Sequence, residues 1–157
     1  MRLERLRGAD WLLGIAGLAS LLLLWAPWYG LSDGTMSGWQ AFGLIDIFVV
    51  VSAALAIATV LVTATRDTPE LPIAMDVITA PIASLTALLV LIRLLDLPYA
   101  EVTDGREWGA FAGTIAVIAT AAGAWMAMRD ERAPGLRANP RAQTMPAPAP
   151  GPAGEPS

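Results

Sequence analysis

Residues 39–65 constrain this chain more than any other stretch, because they carry a single charge, Asp46, in an otherwise apolar run. At 1.5 Å per residue a helix of that length crosses a hydrocarbon layer of about 30 Å. A carboxylate at membrane depth costs about 2.5–3.5 kcal/mol on insertion scales, so it calls for a partner or a purpose. The only residue of opposite sign inside another apolar run is Arg93. Three further runs share the same character: 11–32, 108–128, and a helix from about 72 to 95 with Pro81 in its middle. Four spanning helices are therefore expected, at about 10–28, 39–65, 72–95 and 108–129.

The flanks give the organisation and the orientation. Residues 1–9 form a basic head with Arg2, Arg5 and Arg7, and Arg66 lies in the middle turn. Arg129, Arg132, Arg137 and Arg141 follow the last helix, whereas the two opposite loops share only Arg106. Arginine collects on the cytoplasmic side of membrane helices, so both termini are expected in the cytoplasm. Residues 10–132 then form an all-α transmembrane domain of two hairpins. Residues 133–157, rich in Pro and Ala, lack the apolar surface to build a core and read as a disordered tail. Trp11, Trp25, Trp28, Tyr29, Trp39, Trp108 and Trp125 fall near expected helix ends, as interfacial anchors do.

On the third helix, Asp76, Thr79, Ala83, Thr86, Val90 and Arg93 recur at spacings of three and four, which aligns them on one stripe. A polar or small stripe in a membrane helix faces protein or water. Asp46 lies roughly 10 Å below Trp39 along its helix, and Arg93 roughly 5 Å below Asp96. The tight turn at 66–70 makes the two helices antiparallel neighbours, so Asp46 and Arg93 share one leaflet. An ion pair between them is expected, with Asp96 as competitor for Arg93 and the Thr79 and Thr86 hydroxyls beside it. Asp76 is expected as a solvated or helix N-terminal acid. On the fourth helix Gly109 and Gly113 form a GxxxG pattern and Gly123 continues a row of small residues, an expected packing face.

The absent residue types narrow the chemistry. With no Cys and no His, thiol catalysis, disulfides, thiolate or imidazole metal sites and a Ser-His hydrolase are excluded. No phosphate loop or nucleophile elbow appears, so neither enzymatic activity, a metal nor a cofactor is expected. The net charge of -4 argues against nucleic acid as a partner. All basic residues are arginine, and Ala, Gly and Pro abound, a habit of GC-rich bacterial genomes.

Three motifs carry a resemblance. The Trp39-Gln-Ala-Phe42…Asp46 opening, the Arg93-Leu-Leu-Asp96-Leu-Pro98 exit and the Gly109-Ala-Phe…Gly113…Arg129-Asp130-Glu131 ending resemble small four-helix integral membrane proteins of actinobacteria, over about residues 10–132. That resemblance implies the architecture and brings no activity with it. The expectation is a multi-pass protein of a bacterial plasma membrane that acts through helix–helix or tail contacts, with a membrane-protein partner or as a homo-oligomer. The alternative is a small oligomeric transporter or channel that uses Asp46 and Arg93 as its polar site.

Overall fold

A computed structural model describes residues 6–65, 70–96 and 103–131. Helix α1 is Gly8–Leu22, followed by a 3-10 turn, Leu23–Trp25. Strands β1 (Pro27–Leu31) and β2 (Gly34–Ser37) come next, then a short helix α2 (Gly38–Phe42). Helix α3 is Leu44–Thr65, α4 is Glu70–Leu95, β3 is Thr103–Arg106 and α5 is Trp108–Glu131. Four stretches are long and apolar enough to cross a membrane: Gly8–Trp25, Leu44–Thr65, Met75–Leu95 and Trp108–Arg129. The expected four-helix membrane bundle is the fold.

The helices close into a ring. Helix α1 packs on α3 and α5, and α4 packs on the same two, so α1 faces α4 across the bundle. Exposed positions are large and apolar, among them Ile15, Leu44, Ile115 and Leu88. The interior is built mostly from Ala, Thr and Val, such as Ala53, Ala56, Ala83, Thr79 and Val90. Water plays no part in the drive between such helices, so small residues that allow close backbone contact hold them.

Two expected helices end or break early. The first does not reach residue 28: Pro27 disfavours helical backbone at the preceding residue, and Ala26 is extended at φ -68°, ψ 159°. Trp28 and Tyr29 consequently lie on β1, where they are 1% and 0% exposed. They are core residues, and Trp125 is no simple anchor either, since its Nε1 donates to Ser84 Oγ at 2.8 Å, halfway along α4; Trp11, Trp25, Trp39 and Trp108 lie near the ends of the spans. The second helix is split by Gly43, whose φ of +58° suits glycine and breaks the helical run between α2 and α3. By contrast α4 continues through Pro81.

The two loops at this end are not simple turns. They build a three-stranded antiparallel sheet in the order β2-β1-β3. A two-residue connection at Ser32 and Asp33 joins β1 to β2, and β3 arrives from the other helical hairpin with Tyr29 opposite Arg106. The sheet therefore ties both hairpins together over one end of the bundle. Residues 1–5 of the basic head, the turn at 66–69 and the tail at 133–157 lie outside the described residues.

Candidate functional site

The polar residues of α4 do form one inward stripe. Asp76 is 2% exposed, and Thr79, Ala83, Thr86 and Val90 are fully buried. Asp76 is thus an interior acid, contrary to its expected solvated position, because the stripe it shares with Thr79 turns into the bundle. Its span to Arg93 is roughly 25 Å along the helix, most of a hydrocarbon layer.

Most hydroxyls on this seam are returned to protein. Thr79 Oγ1 donates to Met75 O at 2.8 Å, which leaves it to accept from Thr59 Oγ1 on α3 at 3.2 Å. Thr86 Oγ1 lies 2.8 Å from Ile82 O on its own helix and 3.2 Å from Phe48 O across the interface. Bonding a hydroxyl to the preceding turn satisfies it without a lipid-facing polar atom. Ser52 Oγ has no hydrogen-bond partner among the described residues.

Asp46 and Arg93 occupy the sheet-covered end, but they are not paired. Arg93 donates from Nη2 to Ala41 O at 2.8 Å, and its Nε is buried without a hydrogen bond among the described residues. Asp46 is 8% exposed, and its Oδ1 likewise has no hydrogen-bond partner among the described residues. Among the described residues no ion pair or hydrogen bond joins the two. The break at Gly43 explains this. It leaves the last carbonyls of α2 without helical partners, and a guanidinium at a helix C-terminus meets both an orphan acceptor and the negative end of the dipole. The break also makes Asp46 a first-turn residue of α3, where the positive end of a helix favours an acid. The antiparallel register, Phe48 with Thr86 and Ala41 with Arg93, sets Arg93 about a turn and a half above Asp46.

The sheet closes the end of α4. The Tyr29 hydroxyl donates to Arg93 O at 2.8 Å, while Arg106 donates from Nε to Leu94 O and from Nη2 to Leu95 O, the latter at 2.9 Å. Three successive carbonyls that the helix cannot satisfy are met by two cross-strand neighbours. Burial pushes the Tyr29 hydroxyl pKa above its ordinary 10.0, with Arg93 and Arg106 pulling the other way.

Beside this cap, Trp28 fills the space under the sheet. Its Nε1 donates to Leu23 O at 2.7 Å, and its ring meets Phe42 edge-on at 4.5 Å. A Cβ on Gly113 would overlap the Trp28 ring, and one on Gly109 would overlap Pro27 O. The GxxxG pair thus admits a strand and an indole. Gly123 alone of the three glycines packs helix on helix, with a Cβ there standing 2.8 Å from Leu13 N.

In the sequence Trp28 and Tyr29 read as interfacial anchors and Arg106 as a loop charge, and their part in the cap was missed. The signals present were Asp33-Gly34 between short apolar segments, a hairpin cue, and Ser37…Gln40, a capping box that opens α2. Among the described residues no group of acids could hold a metal ion. No protein-family model, no curated protein and no solved structure matches this chain.

Proposed function

We propose that this chain is a non-enzymatic protein of a bacterial plasma membrane, with both termini in the cytoplasm, which acts by presenting its bundle or its tail to a membrane-protein partner. The observation that carries this reading is the use made of Arg93. Its guanidinium closes the end of α2, and Tyr29 and Arg106 close the end of α4. The charged groups at membrane depth that a transporter would hold free for a substrate here include one that serves the architecture. Support for the orientation comes from the arginines of the head, the middle turn and the stretch after α5.

Two measurements on the full chain test it. Cross-linking in native membranes, followed by isolation of the chain, is expected to yield the same partner from wild type and Asp46→Asn. Ion or proton flux in proteoliposomes that wild type supports and Asp46→Asn abolishes, with the fold intact, overturns the reading. A reporter that is active only outside the cytoplasm, fused after Ser157, is expected to stay silent.

A further inference from the structure

Arg93 ends the inward stripe of α4, Asp46 is buried on α3, and each keeps one polar atom unsatisfied. Among the described residues, Arg93 Nε and Asp46 Oδ1 are buried with no hydrogen-bond partner. At membrane depth such a donor and such an acceptor are each costly alone, and each supplies what the other lacks. The register of α3 on α4 offsets them by about 8 Å along the axis, a distance the two side chains together can span. Two positions are thus open to the guanidinium: up at Ala41 O, where it stands, and down at Asp46.

The backbone of Arg93 stays in place in either position. Tyr29 and Arg106 hold the carbonyls of Arg93, Leu94 and Leu95, so the end of α4 does not depend on the guanidinium. The end of α2 does depend on it, through Ala41 O. Helix α2 has five residues, and a helix that short has little stability of its own. It joins α3 through Gly43, at φ +58° and ψ -112°, a conformation open to glycine. A Cβ at Gly43 would meet nothing within 4 Å, so rotation at this joint meets no packed side chain. The rings of Trp39 and Phe42 also hold α2, edge-on to Trp25 and Trp28. Those contacts involve η-turn and strand residues and leave the Arg93 side chain free to move.

We propose that Arg93 is a two-position latch. Bound to Ala41 O it holds α2 against the bundle; swung down to Asp46 it releases α2, which turns about Gly43. The sheet-covered face thereby has a held and a released form, and the place of one guanidinium decides between them. This device stands whatever partner the bundle or the tail engages.

Amide hydrogen exchange of the full chain in mixed micelles tests it. In Asp46→Asn the amides of residues 38–43 are expected to exchange about tenfold more slowly than in wild type, since the charged acceptor that draws Arg93 away becomes a weaker, neutral one. A carboxylate that only supports the first turn of α3 gives the opposite sign, because its loss weakens that turn. Faster or unchanged exchange at 38–43 in Asp46→Asn therefore overturns the latch. Gly43→Ala has room for its methyl but strains the joint, and it is expected to speed exchange of the same residues about tenfold, with α5 unchanged. Unchanged exchange in Gly43→Ala would mean that residue 43 keeps its conformation as α2 opens, and overturns the hinge.

Discussion

The sheet-covered half of the bundle and the half nearer the termini are packed by opposite means. Under the sheet, one cluster joins Trp28, Tyr29, Phe42, Val49, Val90 and Val117. Nearer the termini the core is Leu13, Ala56, Ala80, Ala124 and Met128, with Gly17 against Ala56 and Gly123 against Leu13. The first half fills its centre with large rings and needs strands to bring them in. The second removes side chains until backbones touch. Glycine serves both, as a slot for a ring at Gly113 and as a contact surface at Gly123. The same residue type in the same helix is thus read by what stands opposite it.

The comparison breaks most sharply at Trp28. Trp28→Ala is expected to cost about 3–5 kcal/mol, as removal of a large buried aromatic does, measured by reversible unfolding in mixed micelles. Gly113→Ala drives a methyl into the ring and should also destabilise, yet in the Trp28→Ala background it should be neutral or favourable. Simple additivity of the two would show that the ring does not occupy the slot. In the other half, Gly123→Val forces α5 off the backbone of Leu13, and about 1–3 kcal/mol of destabilisation is expected. Gly8 is the control, since a methyl there would meet nothing within 4 Å: Gly8→Ala should stay within about 0.5 kcal/mol.

The two halves were unequally legible. Hydropathy alone located the four spans, because twenty or so apolar residues admit few other structures, and the α4 stripe followed from its spacing. The packing of Gly123 was readable in the same way. The capped end was not, because its order depends on non-local contacts: β1 meets a strand some seventy residues later, and the Trp28 ring packs on Phe42 of α2 and in the slot at Gly113 of α5. Interfacial tryptophans and a buried one look alike in sequence. Reading 39–65 as one helix concealed the break at Gly43, and with it the carbonyl that draws Arg93 away from Asp46.

Tyr29 sharpens the comparison with a smaller effect. Tyr29→Phe keeps the ring and removes the bond to Arg93 O, for an expected loss of about 0.5–1.5 kcal/mol. Because burial raises the folded-state pKa above the unfolded value near 10.0, the unfolded chain loses this proton first. The contribution is therefore complete below about pH 10 and falls as pH rises through and beyond that value. Unfolding of wild type should become easier over that window, and Tyr29→Phe should flatten this part of the profile. An identical alkaline slope in the variant would place the sensitivity elsewhere.

The smallest effect is expected toward the terminal end of the spans, where Thr59 and Thr79 make the single hydrogen bond between two side chains described between α3 and α4. Such bonds average about 0.6 kcal/mol in membrane bundles, because an unbonded threonine can turn its hydroxyl to its own helix. Thr63, on the same helix as Thr59, already does so with Thr59 O at 2.9 Å. A cycle of Thr59→Val, Thr79→Val and the double variant should give a coupling below about 1 kcal/mol, with all three chains folded. That outcome leaves the cluster that Ala56 and Ala80 share as what holds this level together, as the small-residue half requires. A coupling above about 2 kcal/mol would instead make the hydroxyl pair the organiser of the interface, and the contrast between a ring-filled half and a backbone-contact half would no longer describe α3 and α4.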